Sequence, residues 1–422
     1  MIFYGKGSVT DVFSPEDARK ALTAALDRIG ERKRVIAVPP DFTRRHSQAG
    51  MLTEMVWEYY GDGLTDILPA IGTHQPMTDG EIGAMFGKTP KTLFRTHDWR
   101  NGCTTLGEIP SAFVREVSEG RFDYDIPIRI DSLLAGGGHD LILSIGQVVP
   151  HELTGLAGYN KNIFVGAGGA EGIHKTHFLG AVHGMERIIG RADSPVRRLF
   201  NYASEHCAQH LPIIYVLTVV GKDAAEKNVI RGIFIGDDIE CFRQAAALAQ
   251  QVNIKLLDAP IRKIVVYLDP GEFKSTWLGN KSIYRTRMAL DDGGELIVLA
   301  PGVSRFGEDD GIDRLIRKYG YAGTERILEY VREHEDLRQS LGTAAHLIHG
   351  SSEGRFTVTY CPGHLTRREI ESVYFNYADL DAMMSRYNPE KLTDGYNTLA
   401  DGEEIFFVSN PGLGLWARKS IL

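Results

Sequence analysis

The 422-residue chain is poor in the features that mark several large protein classes. It has four cysteines, Cys103, Cys207, Cys241 and Cys361, set far apart with no Cys-x-x-Cys pair, which excludes a disulfide framework and a zinc knuckle and leaves reduced, structural thiols. It has no excess of positive charge: 47 basic against 55 acidic residues give a net charge of −8, so nucleic acid is not expected as a partner. No stretch approaches the roughly 18 apolar residues of a membrane span, and the opening MIFYGKGSVTDVF lacks the basic and apolar regions of a secretory signal. Cytoplasmic residence without membrane partners is the expectation. Internal repeats, low-complexity tracts and flexible linkers are also missing.

What is present is an alternation of strand-length apolar runs with helix-like segments, the pattern of α/β layers around a largely parallel sheet. RVIAVPP (34–40) reads as a buried strand, LTEMVWEYYGDGL (52–64) as an amphipathic helix stopped by glycine, and DILPAIGTH (66–74) and DLILSIGQVVPHE (140–152) as further strands. Each strand delivers polar residues at its carboxyl end, namely Asp41 to Arg44, His74 and His151, and ligands of open α/β sheets sit outside those ends. A fresh β-branched strand after Pro260 opens a second block. There, 282–294 reads as a helix ended by paired glycines, 295–301 as a strand, and 313–341 as charged, exposed helices. The expected organisation is a Rossmann-like N-terminal domain over 1–258 and a C-terminal α/β domain over 259–402, with the active site in the cleft between them. The strand and loop of 404–417 are a candidate to return to the first domain, which 403–422 would then complete.

The densest chemistry lies in HELTGLAGYNKNIFVGAGGAEGIHKTH (151–177). Its glycines, Gly166, Gly168, Gly169 and Gly172, allow close backbone approach to an anion, and His151, Lys161, His174 and His177 offer acid–base, metal-ligating or covalent chemistry. His174 and His177 would share a helix face with Glu171, but the His-Glu-x-x-His of zinc hydrolases is absent. GAGGAEG misses a dinucleotide fingerprint, since Glu171 stands where the third glycine belongs. In DFTRRHSQAG (41–50), Arg44 or Arg45 suits a carboxylate or phosphate and Asp41 a ribose hydroxyl; solvated arginines in a turn fit the same segment equally. In GTHQPMTDGE (72–81), Thr78 and Glu81 form a capping box that leaves His74 just upstream. His97, His139, His183, His206 and His210 have no committing spacing and read as structural.

The ordered set Asp41-Phe42-Thr43-Arg44, Gly72-Thr73-His74, and His151 followed by Lys161 ten residues on and His177 sixteen beyond resembles the lactate racemase family of nickel-pincer-nucleotide enzymes, over roughly residues 35–180. The resemblance implies a pyridinium mononucleotide carrying Ni(II) on two sulfur arms, tethered through Lys161, with His177 completing nickel coordination. By the same resemblance Asp41, Thr43 and Arg44 hold the nucleotide, Arg44 also approaches the substrate carboxylate, and His74 and His151 are the acid–base pair. A 2-hydroxy acid would lose its α-hydride to the cofactor, pass through a flat 2-keto acid and regain the hydride on the other face.

Two departures from the family bear on the substrate. In the stretch that binds lactate, Tyr284 matches, but Arg285 stands for a glutamine and Met288 for a lysine, so a hydroxy acid larger than lactate, including a sugar acid, is expected; Arg285 and Arg287 are either a recomposed carboxylate site or exposed helix arginines. Around Lys161, LAGYNK replaces the usual serine–glycine–glycine run. Separate cofactor-building enzymes are implied as partners, and the oligomeric state stays open. The competing readings are a metal-dependent hydrolase using His74, His151, His174 and His177, and a non-catalytic nucleotide-binding homologue.

Overall fold

The computed structural model describes residues 1–223, 225, 227–412 and 414–422. These form two compact units, 1–179 with 188–253, and 180–187 with 254–422. Among the described residues no helix is long and apolar enough to cross a membrane.

The first unit contains β1 (Ile2–Gly7), β2 (Val35–Val38), β3 (Leu64–Ile67), β4 (Cys103–Ile109), β5 (Ile126–Asp131), β6 (Leu141–Gln147), β7 (Pro150–His151), β8 (Gly155–Leu156), β9 (Ile213–Lys222) and β10 (Asn228–Gly236). Its main sheet has the order β1-β10-β9-β6-β2-β3, with β9, β6, β2 and β3 parallel and β10 and β1 added antiparallel. Every residue of β2 and β6 is buried, which is why both read as continuous apolar runs rather than alternating ones. One sheet face presents Val35, Ala37, Leu141, Leu143 and Ile145 to the helix Pro15–Ile29 through Ala18, Leu22 and Leu26. The opposite face packs Ile36, Val38 and Ile142 among Ile163, Phe164, Val165, Leu199 and Phe200. Covering both faces forces the ligand-accessible edge to the strand ends. Val38 pairs with Ser144, so the chain leaves β2 toward Asp41 and ends β6 at Gln147 on the same edge. The predicted capping box of Thr78 and Glu81 starts the helix Asp79–Phe86.

The second unit contains β11 (Ile254–Leu257), β12 (Ile261–Tyr267), β13 (Leu290–Ala300), β14 (Phe356–Pro362), β15 (Asn376–Tyr377), β16 (Gly395–Thr398), β17 (Glu404–Val408) and β18 (Leu415–Arg418). Its sheet order is β15-β14-β13-β12-β17-β16, parallel except for β16, and β11 pairs with β18 separately. Both units are therefore α/β, as the alternation predicts.

Two expectations need correction here. The helix read over 282–294 ends at Thr286, and Asp291 to Gly294 belong to β13, where Gly294 pairs with Phe356; the paired glycines mark a bend within a strand rather than a helix stop. Residues 403–422 do not complete the first domain. β17 pairs with β12 and β18 with β11, so the C-terminal segment belongs to the second unit, while 180–187 leaves the first.

Candidate active site

Asp41 caps the tight turn Phe42–Ser47 that follows β2. Its Oδ1 accepts the Thr43 N–H at 3.1 Å and the Thr43 hydroxyl at 2.5 Å, and its Oδ2 lies 2.6 Å from His74 Nδ1. Burial pushes the Asp41 carboxyl up, but His74, Thr43 and Arg44 outweigh it and hold the group below the usual carboxylate range. His74 is carried by a turn at Gly72, whose φ of 58° favours glycine and whose N–H donates to Gly166 O at 2.8 Å. With Nδ1–H donated to an ionised carboxylate, neutral His74 keeps its lone pair on Nε2, the arrangement of a general base.

Lys161 is held from both sides. Behind it, Arg197 donates to the carbonyls of Leu156 (2.7 Å) and Gly158 and to the Asn160 side chain, and its guanidinium lies 4.3 Å from the centre of the Phe242 ring. Ahead of it, Asn162 Nδ2 donates to Val38 O at 2.8 Å and to Ser144 Oγ at 3.2 Å, which fixes the segment to the end of β2 and the middle of β6. The Lys161 amine itself makes no hydrogen bond among the described residues. Burial, then Arg44 and Arg197, depress it to about 8 against the opposing pull of Glu152 and Asp41. At about pH 8 half of such a lysine is the free amine, the form that attacks an electrophilic carbon.

The other two histidines present different nitrogens. His151, buried on β7, accepts the Leu153 N–H at Nδ1 (3.1 Å), and its Nε2 faces Glu152 Oε1 at 3.6 Å. In its neutral form it therefore carries hydrogen on Nε2, the tautomer opposite to that of His74. His177 lies in the helix Ala170–His183 and donates Nδ1–H to Ile173 O at 2.6 Å, which orients its ring. His174 stands apart in environment: burial, then Arg100, lower its pKa, and its ring meets Trp99 edge-on at 5.9 Å. Among the described residues no three His, Cys, Asp or Glu side chains gather as a metal site, so the four-histidine hydrolase arrangement is not assembled.

Gln147, Arg197 and the pair His97–Asp131 escape a reading by sequence. Gln147 ends β6 with both amide atoms buried and unpartnered, and Arg44 Nη1 is buried and unpartnered on the neighbouring turn. A polar residue closing the apolar run LILSIGQ is the one sequence signal for Gln147. Arg197 and the pair His97–Asp131 depend on partners dozens of residues away and left no local signature. The residues fit the implied nucleotide: Arg44 offers a cation to a phosphate or carboxylate, Gln147 a donor and an acceptor, Lys161 an amine depressed to about 8, and His177 an oriented imidazole.

In the second unit, Tyr284 and Arg285 lie in the short helix Lys281–Thr286 and are buried. Tyr284 Oη is 2.9 Å from His346 Nδ1, Tyr321 Oη is 2.9 Å from His346 Nε2, and Trp277 stacks on that imidazole at 4.3 Å. Arg287 donates Nε–H to Glu186 at 2.6 Å and Nη1–H to the carbonyls of His349 and Ser351. Neither arginine is an exposed helix residue, so that alternative falls; Met288 is a core residue.

Residues 19–188 match the family model described as the lactate racemase N-terminal domain. No curated protein matches the sequence. Among solved structures, a Thermotoga maritima protein superposes with a TM-score of 0.81 at 25% identity, over 97% of this chain and 99% of its own. The lactate racemase apoprotein from Thermoanaerobacterium thermosaccharolyticum superposes with a TM-score of 0.70 at 17% identity, over 98% of this chain and 94% of its own, a likeness of fold. Residues 19–188, which carry Asp41, Thr43, Arg44, His74, His151, Lys161 and His177, are thus similar to the lactate racemase N-terminal domain.

Proposed function

We propose that the protein is a racemase or epimerase that inverts C2 of a 2-hydroxy acid, using a nickel-pincer nucleotide tethered to Lys161. The observation that carries this reading is the Lys161 amine, depressed to about 8, anchored by Asn162 and Arg197 and flanked by the unpartnered Nη1 of Arg44. The match of residues 19–188 to the lactate racemase N-terminal domain supports racemase or epimerase chemistry. When bound, the nucleotide supplies a ring that takes up the C2 hydride and returns it, with nickel as the metal.

The chain's own groups do the rest. Lys161 would carry the covalent tether, His177 would ligate the metal, and Thr43, Arg44 and Asp41 would hold the nucleotide. His74 Nε2 removes the hydroxyl proton, and the imidazolium so formed is stabilised by the Asp41 carboxylate at 2.6 Å. His151 Nε2–H donates to the substrate oxygen from its own position, and Tyr284 and Arg285 read the carboxylate and further polar groups of the substrate. A buried arginine in place of glutamine, beside a core methionine in place of lysine, favours a hydroxy acid with more polar groups than lactate.

The test is a panel of C2-deuterated 2-hydroxy acids, from lactate to sugar acids, incubated with holoenzyme made alongside the cofactor-building enzymes and resolved by chiral chromatography and mass spectrometry. Inversion with deuterium retained at C2 is expected for one member. Inversion with deuterium lost to solvent, or inversion that survives Lys161→Ala, contradicts the proposal.

A further inference from the structure

The Lys161 segment and the helix bearing His177 are joined by a glycine turn, Gly166 to Gly169, whose conformation decides where that helix begins. The turn is clasped by main-chain bonds: Asp131 N–H to Ala167 O at 2.8 Å, Gly169 N–H to Arg129 O at 2.9 Å, and Ala170 N–H to Trp99 O at 2.9 Å. At its centre one side chain ties the pieces together. His97, fully buried, places Nδ1 2.7 Å from Asp131 Oδ2 and Nε2 3.0 Å from Gly168 O. A carbonyl and a carboxylate thus face the two ring nitrogens, one on each side of the imidazole. Asp131 in turn accepts the Leu133 N–H at 2.9 Å, which fixes it at the end of β5. Gly168 cannot be replaced, because a Cβ there would lie 2.0 Å from Phe164 O.

We infer that His97 is a positioning residue for the nickel ligand, acting through Gly168 and the turn to set the start of the helix that carries His177. The inference rests on the proposed roles of Lys161 and His177. It bears first on the metal end of the site, because the Lys161 end has side-chain anchors of its own in Asn162 and Arg197, beside the single main-chain bond from the Ala167 N–H of the turn to Asn162 O at 3.0 Å. His177 sits seven residues into the helix, about two turns, so a displaced first turn carries its ring with it.

The experiment is His97→Ala, His97→Gln and Asp131→Asn, each produced with the cofactor-building enzymes and read by intact mass, nickel per modified chain after passage over a chelator, and thermal midpoint. His97→Ala is expected to keep the mass increment while its nickel affinity falls about 10- to 100-fold, the range for loss of an outer-shell partner. His97→Gln, with two amide N–H groups, should restore much of the nickel. Asp131→Asn keeps the packing and weakens the same latch, so it reports the nickel loss even where His97→Ala fails to fold. A lowered midpoint with nickel per modified chain unchanged in His97→Ala and Asp131→Asn overturns the inference and leaves the tether intact. A wild-type chain without the increment overturns the tethered-cofactor reading itself.

Discussion

His74 and Asp41 are 33 residues apart in sequence and share one hydrogen bond of 2.6 Å, from an imidazole that is partly exposed to a carboxylate that is buried. The bond leaves Nε2 of His74 as the basic nitrogen and places the compensating charge where water does not screen it. Asp41→Asn keeps the shape and removes the charge. Turnover of the holoenzyme should fall by about 10²- to 10⁴-fold with little change in the mass increment at Lys161. Equal loss of increment and turnover would show that Asp41 acts only in holding the nucleotide.

The same carboxylate shapes acid stability. Its folded pKa lies below the ordinary 3.8, so between the two values the unfolded chain binds more protons and stability rises with pH. Its contribution is complete above about pH 4 and is lost as the pH falls through the folded value. Urea midpoints of wild type and Asp41→Asn should therefore differ more at pH 6 than at pH 3; a constant difference would show that the charge is not involved.

Lys161 has the opposite linkage. Its folded value of about 8 lies below 10.5, so the wild type is destabilised by its buried ammonium below pH 8, and that penalty fades as the pH rises toward 10.5. In the cofactor-free protein, Lys161→Met should raise the urea midpoint at pH 7 and raise it less at pH 9.5. An amine-acylating reagent should label Lys161 ahead of the exposed lysines at pH 8, and Arg44→Met should slow that labelling at pH 8 by raising the amine's pKa. Labelling that tracks exposure alone would contradict the electrostatic account.

Much of the fold was legible because the strands of the first unit are buried on both faces. Continuous apolar runs such as RVIAV and LILSI have few other homes, and the polar residues beyond them announce the ligand edge. The Thr78–Glu81 box was legible for the same reason of locality. The rest was not local. Gly293 and Gly294 look like a helix stop until β14 is present to pair with Gly294, and 404–417 has no sheet assignment until β12 is beside it. At the site, the spacing of His151, Lys161 and His177 was visible, whereas the supports of Lys161 and the latch at Gly168 come from Arg197, His97 and Asp131, distant residues whose roles exist only in three dimensions.

Gln147 separates apo stability from ligand binding. Its buried amide has no partner, so Gln147→Leu should stabilise the cofactor-free protein by about 1–3 kcal/mol in urea unfolding. The same change should lower the fraction of chains that acquire the nucleotide. Stabilisation with loading unchanged would place Gln147 outside the nucleotide's reach.

Arg285 concerns the substrate and not the cofactor. Arg285→Gln, which restores the residue of the family pattern, should raise KM for the native hydroxy acid by about tenfold or more, the loss of one charge-assisted contact, with nickel content unchanged. A fall in nickel content with KM unchanged would assign Arg285 to packing.

The central claim, a nickel-bearing nucleotide tethered to Lys161, is tested most directly by intact mass and nickel content of wild type and Lys161→Ala, both produced with the cofactor-building enzymes. The account predicts a mass increment of a modified mononucleotide and stoichiometric nickel in the wild type, with both absent from the variant. An unmodified wild-type mass without nickel, or an increment that persists in Lys161→Ala, would contradict it.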